Sequence, residues 1–338
     1  MSRPLRIWLP AIRAGSGADV FVERLAEGLL KAGHQPQIHW FPHWYELVPE
    51  LMRAYVPTKE IDLIHSNSWG ANAFIGAGAP LVITVLHLVH DPAYASYRSN
   101  AQALYHRLHV RRREEKAIRA SEAVTAISDY VASTVRSVFG RMDVRAIPNW
   151  VDLDRYRPPE VAPMENKKPF RLLMVGNQTR RKGADLFEEF VGGLGPSFEL
   201  SCTGGLREGQ SRIGLPTVRF LGCITEEELI REYQQCDAVV SLSRYEGFGY
   251  TALEGMACAK PFIGFETSGL SDVVVNGQTG ILVPINNVNG MLNACRALAV
   301  DKAMYERMSR SARTRAMQSF KESDAIETYL SIYSDLLS

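Results

Sequence analysis

Cysteine is scarce in this chain and carries none of the spacings that would give it a structural task. Cys202, Cys223, Cys236, Cys258 and Cys295 all fall in the second half, are odd in number and include no C-x-x-C pair. That argues against a disulfide framework or a cysteine-held metal and for a reduced, cytoplasmic protein. None of the eight histidines forms an H-E-x-x-H spacing, so a zinc site of that kind is excluded. A charge excess is missing too, since the net charge is +1, which leaves no field for bulk nucleic-acid binding. Long apolar runs are equally absent. Pro10 and Arg13 interrupt the N-terminal stretch before it could form a signal-peptide core, leaving it as a first strand. Ala71 to Val89 is nearly free of charge and about long enough to span a bilayer, but Gly76, Gly78 and Pro80 break it into helix, turn and strand. No tandem repeat or low-complexity tract is present.

What remains is the composition of a soluble globular enzyme, 46% apolar and 22% charged. At 338 residues the chain exceeds what one hydrophobic core usually organises, so two domains are expected. In the first, strand-like runs at Leu5 to Leu9, Gln37 to Trp40, Asp62 to His65, Leu81 to Leu86, Ala123 to Ile127 and Val144 to Ile147 are separated by helical segments. The first such helix is Asp19 to Ala32, closed by Gly33. Pro158, Pro159, Pro163 and the polar residues 165–168 read as a linker, after which Phe170 to Val175 opens a second series. Its further strands are Phe198 to Thr203, Val218 to Leu221, Ala238 to Leu242 and Pro261 to Ile263. The expectation is an α/β protein of two doubly wound parallel-sheet domains facing a cleft, residues 1–160 and 166–320. An apolar-striped helix, Asp324 to Leu337, follows.

Two turns in the second domain carry the chemistry. Ser243-Arg244-Tyr245-Glu246-Gly247-Phe248-Gly249-Tyr250-Thr251-Ala252-Leu253-Glu254 places glycines between a buried strand and a short helix, Thr251 to Ala259. Backbone amides there can approach an anion at the positive end of the helix. Glu254, one turn into the helix, can accept from hydroxyls such as those of a ribose, and Glu246 meets the group beyond the phosphates. Phe248, Gly249, Tyr250 and Thr251 complete this donor-binding turn. Gly176-Asn177-Gln178-Thr179-Arg180-Arg181-Lys182-Gly183 is a second strand-to-helix turn with three consecutive cations, suited to neutralising a departing diphosphate. Arg181 and Lys182 take that role and Arg180 is a solvated charge. An ordinary helix entry and a plain basic loop are the bland readings of the same residues.

The first of these segments resembles the E-x7-E signature of retaining glycosyltransferases of sequence family four (glycosyl transferases group 1), which have the GT-B fold, and the likeness runs over nearly the whole chain. The basic turn resembles the family's G-x-x-x-x-R-K-G loop, with Asn177 where many members have Arg. Gly15-Ser16-Gly17-Ala18-Asp19 resembles its G-G-x-E segment, with Ser16 in place of a glycine. Ala126-Ile127-Ser128 and Ile147-Pro148-Asn149-Trp150-Val151-Asp152 resemble its A-x-S and I-P-N-G-V-D segments, with Trp150 where glycine is usual. The resemblance implies that Ser16 and Gly17 approach the donor, that Gly204-Gly205 forms a loop near the nucleotide, and that Cys223 and Ile224 face the base. A histidine at the end of the strand Leu81 to Leu86 is implied to line the reacting face. His87 has the better spacing and His90-Asp91 the better local match. The final helix, about 322–338, is implied to pack back on the first domain.

The activity implied is transfer of a sugar from a nucleoside-diphosphate donor to a glycan or glycolipid hydroxyl with retention, without an essential metal or other cofactor, in bacterial surface polysaccharide or lipopolysaccharide assembly. A phosphorylase or a non-catalytic nucleotide- or sugar-binding protein of the same architecture is the alternative. The aromatic segment His39 to Met52, beside the basic run Arg111-Arg112-Arg113, fits a packed loop or a peripheral contact with the inner membrane face.

Overall fold

A computed structural model describes residues 3–57, 61–160, 169–177, 179–204 and 217–338. Pro163, residues 165–168, Gln178 and Gly205, singled out above, lie outside the described residues. The chain divides into two compact units, Met1–Asn149 with Glu322–Ser338, and Trp150–Lys321. Residues 150–160, placed in the first domain by the sequence reading, thus count with the second unit. Buried Tyr156 explains this: its hydroxyl donates to Glu226 at 3.1 Å, and its carbonyl accepts from Arg313 at 2.8 Å.

The first unit holds six parallel strands: β1 Arg6–Ile12, β2 Gln35–Phe41, β3 Leu63–Asn67, β4 Leu81–Val85, β5 Ala123–Ala126 and β6 Arg145–Ala146, in the order β2-β1-β3-β4-β5-β6. β1 continues past Leu9 through Pro10 to Ile12. A proline lacks the ladder donor, but the β1–β3 pairing covers Ile7 and Trp8 only, and beyond it the Pro10 carbonyl accepts from Ser66 Oγ at 3.1 Å. β4 is buried along its whole length, as a strand covered on both sheet faces must be. Gly76 and Gly78, with φ of 64° and 89°, make the turn that separates it from the 3-10 helix Ala71–Phe74. Among the described residues no helix is long and apolar enough to cross a membrane.

The last helix, Glu322–Leu337, belongs to this first unit. A Cβ on Gly28 would lie 2.5 Å from Ile326 Cδ1, so glycine lets the helices meet closely. A buried polar layer joins the same helix to the sheet. His65 contacts Tyr333 Oη at 2.5 Å and Thr84 Oγ1 at 2.7 Å, and Thr84 contacts Thr125 at 2.7 Å. Each buried polar atom thereby keeps a partner.

The second unit has strands β7 Phe170–Met174, β8 Phe198–Thr203, β9 Val218–Gly222, β10 Ala238–Ser241, β11 Phe262–Phe265 and β12 Gly280–Val283, all parallel, in the order β12-β11-β10-β7-β8-β9. β12 has no counterpart among the strands read from sequence. The sheet packs on an apolar cluster that includes Phe187, Phe190, Leu200, Val240, Met291 and Leu298. Strand order reverses between β7 and β10. In an open parallel sheet this switch point opens a crevice at the carboxyl ends of the strands.

Candidate active-site residues

The two turns singled out in the second unit follow the two strands of its switch point, β7 and β10. Gly183 (φ 77°) brings them together, since a Cβ there would lie 2.4 Å from the Leu242 carbonyl oxygen. The Arg244 N–H donates to the Arg181 carbonyl at 2.9 Å, and Arg181 Nη1 donates to the Tyr245 carbonyl at 2.7 Å. The buried Arg244 side chain, unremarked in the sequence reading, ties the loops further. It donates to the Arg180 carbonyl at 2.6 Å and makes a two-pronged pair with Asp185 at 2.6 and 2.8 Å.

Within this frame Lys182 Nζ pairs directly with Glu246 Oε1, and Arg181 Nη1 lies 3.7 Å from Glu246 Oε2. Burial pulls the Lys182 ammonium below its usual range, with Glu246 opposing the shift. Burial acts upward on the Glu246 carboxyl, but Lys182 and Arg181 outweigh it and hold the group below the usual carboxylate range. An anion entering here competes with Glu246 for two cations already in place. Arg180 is exposed.

Gly249 caps the helix Tyr250–Ala257 with φ 111° and ψ 58°. A side chain there would be strained, and its Cβ would come within 2.8 Å of Leu270 Cδ1. The Ala252 and Leu253 amides donate to the Gly249 carbonyl, whereas those of Tyr250 and Thr251 have no intrahelical acceptor by position. The Phe248 ring is buried, edge-on to Tyr250 at 5.8 Å and to Phe320 at 5.7 Å, so it serves as packing beneath the turn. Ser268 braces the other side, accepting from the Glu246 N–H at 2.8 Å and donating to its carbonyl at 2.7 Å.

Glu254 is buried, and its carboxylate accepts from Tyr233 Oη at 2.9 Å. Burial, then the charge of Glu254, push the Tyr233 phenol far up, so it stays a donor. Gly204 ends β8, and its N–H donates to the Gly222 carbonyl at 2.7 Å. Exposed Cys223 and half-buried Ile224 follow β9 and lead into the capping box of Thr225 and Glu228.

In the first unit the strand order reverses between β1 and β3, and the loop after β1 carries Gly15, Ser16 and Gly17. Ser16 is the N-cap of the helix Gly17–Lys31. Asp19, whose role the sequence reading missed, accepts from the Ala14 and Gly15 amides at 3.0 and 2.9 Å and so holds the loop's shape. His87 follows β4, half-buried, with ring centres of Trp69 at 6.0 Å and Tyr94 at 6.4 Å. His90 is enclosed instead, with Nε2 3.3 Å from a Glu114 carboxylate that also accepts from Ser68 at 2.5 Å. Asp91 caps the turn at Ala93 and accepts from Tyr130 Oη at 2.6 Å. Among the described residues no three His, Cys, Asp or Glu side chains group within reach of a metal ion. The adjacent pair Asp152 and Asp154 serves a turn in which Asp152 accepts from the Asp154 and Arg155 amides, both at 3.0 Å.

Known proteins share the fold. The family model for glycosyl transferases group 1 matches residues 160–315, and that for glycosyltransferase family 4 matches residues 36–155. Glycogen synthase of Mycobacterium tuberculosis is 27% identical over 279 residues, covering 77% of this chain and 65% of the relative, so the match spans just under two thirds of that protein's length. Sucrose-phosphate synthase from Thermosynechococcus elongatus superposes over 98% of this chain and 99% of its own, with a TM-score of 0.81 at 20% identity. Anabaena HepE, solved in complex with UDP-glucose, covers 97% of this chain and 99% of its own, with a TM-score of 0.75 at 19% identity. Matched in its two parts by the two family models in turn, the chain belongs to the family-four glycosyltransferases of group 1, with the GT-B fold.

Proposed function

We propose that the protein transfers a sugar from a nucleoside-diphosphate donor to a hydroxyl of a glycan or glycolipid, with retention of anomeric configuration. The observation that carries this reading is the meeting of Arg181, Lys182 and Glu246 at the switch point, beside the amides of a helix bearing Glu254. In the proposed reaction the bond from the anomeric carbon to the diphosphate breaks as Arg181, Lys182 and the Gly249 to Thr251 amides take up the charge released. A bond to the acceptor oxygen forms on the same face, and the acceptor proton passes to the departing phosphate oxygen. No enzymatic nucleophile is needed, so Glu246 and Glu254 are not the two carboxylates of a hydrolase. Glu246 orients sugar hydroxyls and Glu254, one turn into the helix, holds ribose. Ser16, Gly17, Gly204, Cys223 and Ile224 border the donor. Of the two histidines, half-buried His87 is the one assigned to the reacting face, because His90 is enclosed against Glu114.

Anabaena HepE binds UDP-glucose, and the glycogen synthase likeness supports a glycan as the acceptor. A role in surface polysaccharide or lipopolysaccharide assembly, in the cytoplasm or at the inner membrane face, belongs to the same proposal. The test is a thermal-shift screen against UDP, GDP, dTDP, ADP and orthophosphate, with Glu254→Gln as control because it keeps an acceptor for Tyr233. Stabilisation by one nucleoside diphosphate, reduced in the variant, is the expected result. A response to orthophosphate alone would move the assignment to a phosphorylase, and no response would sink it.

A further inference from the structure

The first unit contains a pocket of about 390 Å³ that the donor reading does not use. Arg98, Arg107, Arg111, Asn100 and His90 line it together with Leu104. Elsewhere in this unit Arg3 pairs with Asp62, Arg13 with Glu23, Arg113 with Glu50 and Arg141 with Asp143, while Arg53 and Arg136 donate to backbone carbonyls. Among the described residues Arg98, Arg107 and Arg111 have no carboxylate partner. Arg98 donates only to the Val89 carbonyl, at 3.0 Å, and Arg111 lies 5.9 Å from the Phe139 ring centre. The Glu114 carboxylate beside His90 is already engaged by Ser68. Three guanidinium groups facing one concavity repel one another unless an anion occupies it.

The backbone is shaped around the same pocket. The helical segment bearing Leu104, Arg107 and Arg111 passes through a π-turn at His106–Val110, where the Arg111 N–H donates to the His106 carbonyl five residues back. Such turns forgo regular helix geometry and often occur at binding sites. Burial first, and the charges of His90 and Arg98 after it, push the neighbouring His106 imidazole down to about 4.

We infer that this pocket binds a phosphate-bearing group, the phosphomonoester or diphosphate end of the acceptor. Arginine presents a planar fork that matches phosphate oxygens in pairs, and a phosphate of charge near −2 balances two or more guanidinium groups. Half-exposed Leu104 and Leu108 offer apolar surface on the same segment, as a lipid-linked phosphate would require. A free phosphorylated sugar supplies the same anion. The acceptor role rests on the proposed transfer activity, but anion binding by the pocket does not.

The experiment titrates the full chain with inorganic pyrophosphate by calorimetry. A background carrying both Arg181→Gln and Lys182→Met weakens competition from the second unit's basic loop. Replacing Arg107, or Arg107 and Arg111, by Gln should weaken binding about tenfold or more. Both side chains are exposed, so the fold should survive. In parallel, co-sedimentation with phosphatidylcholine vesicles with and without phosphatidic acid identifies the source. Binding that needs both phosphatidic acid and the two arginines assigns a lipid-linked phosphate, whereas a pyrophosphate response alone assigns a soluble one. Equal affinity with and without the arginines, or no binding of either probe, overturns the inference. Stabilisation by a nucleoside diphosphate should persist in Arg107→Gln. Its absence from every form of the protein would defeat the donor reading and leave the pocket result standing.

Discussion

The two units use the same six-stranded parallel plan and place their main polar clusters differently. The first unit buries a polar layer, His65, Thr84 and Thr125 on neighbouring strands, and joins to it a helix from the far end of the chain through Tyr333. The second packs its sheet on an apolar cluster and collects charge at the carboxyl ends of β7 and β10, where Arg181, Lys182, Arg244, Asp185 and Glu246 interlock. A buried hydrogen-bonded layer specifies one partner geometry at the cost of sensitivity to protonation. A charged cluster at the strand ends leaves Arg181, Lys182 and Glu246 partly exposed, where an incoming anion can reach them.

The most severe way to break this contrast is Lys182→Met. It should abolish stabilisation by a nucleoside diphosphate and lower transfer activity about 10²- to 10³-fold, as loss of one preorganised charge-stabilising group does. Unchanged turnover in a direct transfer assay would remove Lys182 from the mechanism. Next is Gly249→Ala, expected to cost about 2–3 kcal/mol from its left-handed backbone and the contact with Leu270. Urea unfolding followed by a probe in the second unit measures it, and a midpoint within error of the parent would refute the close approach.

Acid should test the first unit in particular. Burial drives the His65 imidazole from 6.5 down to about 3. Between those values the unfolded chain binds the proton more readily, so the stability His65 contributes is complete above pH 6.5 and falls with pH. The loss is about 2 kcal/mol by pH 5, at roughly 1.4 kcal/mol per pH unit. His65→Gln should flatten the slope of unfolding free energy over that range; an unaltered slope would mean another group titrates. Glu246, held below the usual carboxylate value of 4.5, contributes stability that is present above that value and lost only at lower pH. The smallest effect is expected from Ser16→Ala. Its cap contact with the Ala18 amide is long, 3.4 Å, and removing it should cost about 0.5–1 kcal/mol in the same unfolding measurement.

Much of the second unit's site was readable locally. Gly176 to Gly183 and Ser243 to Glu254 are contiguous segments whose glycines, cations and carboxylates announce a strand-to-helix turn that meets an anion. The residues that hold them were not readable. Tyr233 lies 21 residues from Glu254 and Asp185 lies 59 from Arg244, and nothing in a single tyrosine or aspartate announces such a partner. β12, Gly280–Val283, begins on a glycine and is followed at once by Pro284, both residues that read locally as turn. Pro10 sits inside β1 because on the β3 side the pairing has already ended at Trp8, while β2 stays paired, a fact with no local signal.

The sequence by itself determined the alternation of strands and helices, the division into two cores and the chemistry of the two loops, because hydrophobic period, glycine placement and charge act over a few residues. Strand order was decided only by the tertiary structure. It set β7 beside β10, turned two segments over 60 residues apart into one cluster, and gathered Arg98, Arg107 and Arg111 around one pocket. Such juxtapositions arise from packing whole elements against one another, which no short window of sequence encodes.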